Sequence, residues 1–207
     1  MIKNIIFDMG GVLIDFNARK HVDRIRTLED GSPITEEDKL LLKDIVYDNR
    51  YWPALDFGYF ESEDQYIELM KTVLPEHLHF ALEMLIKDWE IYPVEGMADL
   101  IRRLKEAGYN IYLLSNAGPR HPEYWPKIPG SEYFDGVVAS AIEKMWKPAA
   151  DIYELILSRY NLVAEECIFV DDLAVNCAAA WMQGIDSIVF RSKDQLEREL
   201  AKRDINV

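Results

Sequence analysis

Two cysteines in 207 residues, Cys167 and Cys177, supply neither a disulfide framework nor a thiolate metal spacing. Cys167 opens an apolar run and Cys177 sits in an alanine-rich one, so both read as small buried residues. Basic residues are also scarce, with 23 Lys and Arg against 37 Asp and Glu and a formal net charge of −14. A chain this acidic repels a phosphate backbone. Its one short basic cluster, Arg102, Arg103 and Lys105, reads as a helix surface, so no nucleic-acid partner is expected. No stretch approaches the roughly 18 apolar residues of a membrane helix, and the opening MIKNIIFDMGG lacks the apolar region of a signal peptide. The expectation is a cytoplasmic protein with no membrane partner. Internal repeats and low-complexity tracts are missing too. With 49% hydrophobic and 29% charged residues, the composition excludes a disordered tail, a collagen-like repeat and a small disulfide scaffold.

What is present is a set of short apolar runs. Ile5 to Phe7, Ile111 to Leu114, Cys167 to Val170 and Ile185 to Phe190 are each bounded by turn or polar residues, with Gly136 to Ala139 as a weaker fifth. Such runs fit strands covered on both faces, as in a parallel sheet. Between them lie helical patterns at 97–107, 149–160, 174–182 and 194–202, and Gly108 stops the first. Strands alternating with helices predict an α/β fold, a Rossmann-like parallel sheet core. Residues 16–91 read differently. They show helical patterns at Glu36–Tyr47, Glu63–Val73 and His77–Trp89 and no convincing strand. The expected organisation is therefore a core of residues 1–15 and 92–207 with an inserted helical domain at 16–91.

Ligands of open α/β sheets bind outside the carboxyl ends of the strands, so the polar residues there are the candidates for chemistry. The first strand delivers Asp8 and then Met9-Gly10-Gly11, the second Ser115-Asn116, and a later one Asp171-Asp172. Three converging carboxylates repel one another unless a cation holds them, and hard oxygen ligands suit Mg²⁺. Lys147, followed by Pro148 at a helix start, is placed in sequence order to balance a bound phosphate.

FDMGGVLID (7–15), LLSNAG (113–118), WKP (146–148) and FVDDLAVN (169–176) together resemble, in order, the four motifs of the haloacid dehalogenase superfamily. The resemblance spans essentially the whole chain and implies a phosphatase that forms an aspartyl-phosphate on Asp8. It implies that Asp8, the Gly10 carbonyl and Asp172 hold Mg²⁺, that Asp171 acts on the metal through a water, and that Asn176 braces that loop. Gly11, Ser115 and Asn116 would bind the phosphoryl group, and Lys147 would bridge nucleophile and phosphate. Residues 16–91 are similar to the family's helical cap.

One position departs from the pattern. Phosphatases of the superfamily usually carry a second Asp two residues after the nucleophile as general acid and base, and here that residue is Gly10. General acid–base catalysis is worth roughly 10²–10⁴-fold. A good leaving group, a dehalogenation that needs no proton, and a binding protein without turnover each accommodate the glycine. Asp171 and Asp172 favour the phosphatase, because halide displacement needs no metal. A bacterial subgroup acting on glucose 1-phosphate resembles this chain in having Gly there, a Ser-Asn pair and a DDxxxN motif, which makes a sugar 1-phosphate the leading substrate class. A 2-haloacid dehalogenase and a phospho-ligand-binding protein remain the alternatives.

Several residues carry plainer readings. Asp15 is the nearest spare carboxylate but reads as a cap for the loop exit. His121 reads as a surface loop residue. His77 and His79 stand two apart and face different sides of a helix. Trp52, Tyr47, Tyr51 and Tyr59 read as core of the helical segment rather than as a pocket lining. The oligomeric state is not legible.

Overall fold

The apolar runs become the strands of one sheet. In the computed structural model, which describes residues 1–47, 51–88 and 90–206, these are β1 (Asn4–Phe7), β2 (Asn110–Ser115), β3 (Gly136–Ala139), β4 (Cys167–Asp171) and β5 (Asp186–Val189). They pair in parallel in the order β3-β2-β1-β4-β5. β1 lies at the centre, with Ile5 opposite Ile111 on one side and Ile168 on the other.

Alternate residues of each strand feed two cores. Ile5, Phe7, Ile111, Leu113, Ile168 and Val170 pack on one face with Leu100, Ile101 and Leu104 of α6 (Met97–Glu106) and Leu196 and Leu200 of α11 (Lys193–Ala201). Ile6, Tyr112, Leu114 and Phe169 pack on the other face with Ile152, Tyr153 and Ile156 of α9 (Ala150–Arg159) and Ala180 of α10 (Ala174–Met182). Both cysteines are buried and free, as expected.

Between β1 and α6 lie α1 (Ala18–Asp23), α2 (Glu36–Val46), α3 (Tyr51–Asp56), α4 (Glu63–Lys71) and α5 (His79–Lys87). Their inner faces enclose a third core that includes Leu42, Leu55, Tyr66, Leu82 and Leu85. The helix starts follow from local chemistry: Thr35 and Asp38 form a capping box at α2, and Ser62 caps α4. The entry to α1 is capped by Asn17, not by Asp15, whose carboxylate lies 3.2 Å from Lys20 Nζ. The helix expected at 77–89 is divided, with a 3₁₀ turn at Glu76–Leu78 after Pro75 and α5 following it; Trp89 lies outside the described residues. His77 contacts Asp38 and His79 contacts the Lys71 and Leu74 carbonyls, so the two do not converge. The segment leaves and re-enters the core side by side, where the Asp15 N–H donates to the Tyr92 carbonyl at 2.7 Å. No helix among the described residues is long and apolar enough to cross a membrane.

β3 is an edge strand, and Tyr160 covers it. Its hydroxyl accepts from the Val137 N–H at 2.9 Å and donates to the Val137 carbonyl at 3.1 Å, occupying a backbone pair that an edge otherwise leaves open. The ring reaches that position only because residue 136 has no side chain: a Cβ there would overlap it. Gly136→Val is therefore expected to expel the Tyr160 ring and destabilise the fold by about 1–3 kcal/mol, read as a lower midpoint in urea unfolding, while Tyr160→Phe keeps the ring and loses less.

Candidate active site

Three strand ends and the connection after α8 (Ser140–Glu143), the helix that follows the fourth strand β3, meet at one cavity. Asp8 follows β1 directly, with its N–H bonded to the Val170 carbonyl at 2.8 Å. Beyond it the chain curls around the Met9 carbonyl, which accepts from the Val12, Leu13 and Ile14 N–H groups. Asp171 is the last residue of β4 and Asp172 the next. Lys147 arrives from the connection after α8 (Ser140–Glu143).

The centre of the arrangement is the Lys147 ammonium. It lies 2.8 Å from Asp8 Oδ1 and 2.7 Å from Asp171 Oδ2, and its side chain is 1% exposed. Burial alone would lower its pKa, and the two flanking carboxylates more than reverse that, leaving it above its ordinary value. Asp8 is pushed upward by burial and by Asp171, with Lys147 opposing. Asp171 accepts from both Asn176 Nδ2, at 3.0 and 3.1 Å, and the Leu173 N–H, at 2.8 Å. Asn176 thus ties the acidic turn to the start of α10.

Asn116 has a more specific place than a general substrate contact. Its carboxamide donates to the Lys147 carbonyl and accepts from the Lys147 N–H, both at 2.9 Å, so it pins the backbone that carries the ammonium. Gly11 also differs from its expected role. Its N–H is engaged by the Ile14 carbonyl at 2.8 Å and is not available to a phosphate. Its contribution is shape: it adopts φ +73°, and a Cβ would meet the Asp172 carboxylate at 2.5 Å. Ser115, at the end of β2, is buried and does not line the cavity, whereas Asn116 does.

The Asp8, Asp171 and Asp172 carboxylates each place an oxygen within 4.8 Å of the others. An all-oxygen donor set of this kind fits a hard divalent cation such as Mg²⁺. Asp171 is already engaged by Lys147, Asn176 and the Leu173 N–H, so Asp8 and Asp172 are the carboxylates placed for direct contact. Burial and then Asp171 raise the Asp172 pKa, an imbalance that a cation relieves.

The cavity measures about 500 Å³. Its floor holds Asp8, Gly10, Lys147 and Asp172, and the helical segment contributes Phe16, Trp52, Leu55, Asp56, Glu63 and Ile86. Trp52 therefore lines the cavity as well as packing on Tyr47, Tyr66 and Phe16. Tyr47 and Tyr51 belong to the helical core as expected, but Tyr59 is 75% exposed and stacks on Phe57. His121 is buried rather than a surface residue. It stacks on Trp125 at 5.6 Å, and burial lowers its pKa to about 4, so it is neutral at neutral pH.

Asp56, at the end of α3, escaped the sequence reading because it belongs to no strand end. Half-buried at the cavity wall, it is raised from 3.8 to about 7 by burial and by Asp8, with a Trp52 hydrogen bond and Lys147 opposing. The only signal in the sequence was its position in the aromatic YWPALDFGYF stretch.

The pattern of the family described as haloacid dehalogenase-like hydrolase matches residues 2–180. A sesquiterpene phosphatase of Aspergillus oryzae is 30% identical over 186 residues, covering 88% of this chain and 87% of that protein. A D-ribitol-5-phosphate phosphatase of Bacteroides thetaiotaomicron is 27% identical over 186 residues, covering 85% of each. Among solved structures, a haloacid-dehalogenase-family enzyme of Bacteroides thetaiotaomicron in complex with magnesium and inorganic phosphate superposes with a TM-score of 0.70 at 19% identity, covering 93% of this chain and 96% of that one.

Two outcomes are expected of the purified, metal-free protein. Lys147→Met leaves Asp8 and Asp171 buried without their cation and costs about 3–5 kcal/mol, seen as a lower Tm. For Asp56, the folded protein keeps a proton that the unfolded chain releases near 3.8, so this group's stabilisation is full below that value and is lost as pH rises through about 7. Asp56→Asn, which stays neutral, should raise the Tm more at about pH 8 than at about pH 5; a pH-independent difference would contradict the raised pKa.

Proposed function

This chain belongs to the haloacid dehalogenase-like hydrolases, and from that membership we propose that it is a Mg²⁺-dependent phosphatase that hydrolyses a small phosphorylated metabolite through an aspartyl-phosphate on Asp8. The observation that carries the reading is the ammonium of Lys147 held between Asp8 and Asp171, with the Asp172 carboxylate beside them at the cavity floor. Lys147 aims Asp8 and opposes the burial that favours its protonated form, and a transferring phosphoryl group meets a fixed positive charge as negative charge spreads over its oxygens. The bound cation supplies charge neutralisation and orientation of the phosphate. Around this floor, residues 16–91 act as the cap, which encloses the leaving group and excludes water.

Two substrate readings follow from two observations. Gly10 brings no proton donor to the nucleophile loop, which favours an anomeric sugar phosphate, whose leaving oxygen needs little protonation. The cavity wall of Phe16, Trp52, Leu55 and Ile86 favours an ester whose leaving group is apolar, and the similarity to a sesquiterpene phosphatase supports it. Dehalogenation and ligand binding without turnover are the competing functions.

The test is phosphate release from a panel of sugar phosphates and alkyl phosphates, with Mg²⁺ and with EDTA. Release is expected to require the metal and to fall by ~10³-fold or more in Asp8→Asn, as for loss of a covalent nucleophile. Halide release from a 2-haloacid without added metal, or silence across the panel, would overturn the phosphatase.

A further inference from the structure

Hydrolysis of a phosphate ester must deliver a proton to the departing oxygen and remove one from the attacking water. The nucleophile loop carries no group for this at Gly10. Among the described residues, five carboxyls line the cavity: Asp8, Asp56, Glu63, Asp88 and Asp172. Asp8 is the nucleophile, and Asp172 lies against Gly11 beside the other two acids of the floor. Glu63 is ion-paired with Arg120 at 2.7 Å, and Asp88 is exposed and paired with Arg24 at 3.3 Å. Asp56 is left.

Its placement is built into the core rather than left to the helical segment. The Asp56 carbonyl accepts from the Ser140 hydroxyl, whose oxygen in turn accepts from the Ala117 N–H at 2.9 Å. One serine therefore ties α3 to the loop that presents Asn116. Two residues on, the Gly58 carbonyl accepts from Lys144 Nζ, and a Cβ at Gly58 would overlap the Ala141 carbonyl. The end of α3 thus rests directly on α8. The Asp56 side chain lies over Gly118, with Oδ1 3.8 Å from where a Cβ at that glycine would stand, and it lines the same cavity as Asp8 and Lys147.

We propose that Asp56 is the proton donor and acceptor of this enzyme, supplied by the helical segment in place of a side chain at residue 10. The proposal rests on the phosphatase reading above. In the first half-reaction an Asp8 oxygen bonds to phosphorus, the ester P–O bond breaks, and the leaving oxygen takes the Asp56 proton. In the second, water bonds to phosphorus while Asp56 takes its proton, the P–O bond to Asp8 breaks, and free phosphate and the Asp8 carboxylate are regenerated. One proton leaves Asp56 and one returns. A carboxyl titrating near neutrality, as burial and Asp8 make this one, exchanges it in both directions at neutral pH. With such a donor the glycine at position 10 no longer restricts the enzyme to good leaving groups.

The test compares kcat/KM, which covers every step up to departure of the alcohol, for two ring-bearing probes of similar size in Mg²⁺. Benzyl phosphate needs its leaving oxygen protonated, and 4-nitrophenyl phosphate does not. In Asp56→Asn, benzyl phosphate turnover is expected to fall by ~10²-fold or more and 4-nitrophenyl phosphate by less than ~10-fold. The variant should also give a burst of nitrophenol followed by slow turnover, because the second half-reaction has lost its base. Asp56→Ser, smaller and neutral, gives the same pattern by a second route. Equal losses with both probes, or none, overturn the assignment of Asp56 while leaving the phosphatase standing. Wild-type protein that releases phosphate from neither probe brings down the phosphatase reading and this one with it.

Discussion

A buried ammonium survives in a protein interior only where carboxylates flank it closely, and the Lys147 nitrogen sits under 3 Å from two of them. That requirement fixes three pieces of chain against one another: the exit of β1, the end of β4 and the connection after α8. Asn116 adds the end of β2 through its paired hydrogen bonds to the Lys147 backbone. Once these are locked, Asp172 follows Asp171 into place and the cavity floor is set. The charges do not cancel, since Asp8, Asp171 and Asp172 outnumber the single ammonium. The raised pKa values of Asp8, Asp172 and Asp56 all have burial as their first cause and a neighbouring carboxylate among the others. A divalent cation is the natural complement to that excess.

The parts legible in the sequence were those tied to strand ends. Asp8, Ser115 and Asp171 each terminate an apolar run, and in a parallel sheet such residues collect at one edge. The same logic placed the five strands and most of the flanking helices. It gave no purchase on details set by tertiary contacts. Asn116 reads as a substrate contact and does line the cavity, but nothing local shows that it also pairs with the backbone of a residue 31 positions away. Gly11 reads as a phosphoryl contact because a sequence does not show that its N–H goes to the Ile14 carbonyl. His121 looked like a loop histidine until Trp125 and Tyr124 closed over it. Asp56 was invisible for the opposite reason: it stands in an aromatic helical stretch where a carboxylate is unremarked, and only the fold carries it to Asp8.

The helical segment and the sheet are also less separate than a lid and a base. Ser140 and Lys144 donate hydrogen bonds to the carbonyls of Asp56 and Gly58, and Phe57 meets Trp146 edge-on next to Lys147. The α3 end is therefore a fixed wall of the cavity, and on the side of α4 the Glu63–Arg120 ion pair ties the segment to the core as well.

The paired crossing at Asp15 and Tyr92 has an evolutionary reading. An inserted stretch whose two ends lie hydrogen-bonded together leaves the sheet intact around it, but exchanging it would also strip Ser140 and Lys144 of their carbonyl partners. Here the inserted stretch carries both the apolar wall of the cavity and the carboxyl proposed as its proton donor. A lineage that replaced it would change the wall and that carboxyl in a single event, and the sheet would keep Asp8, Lys147 and the acidic pair.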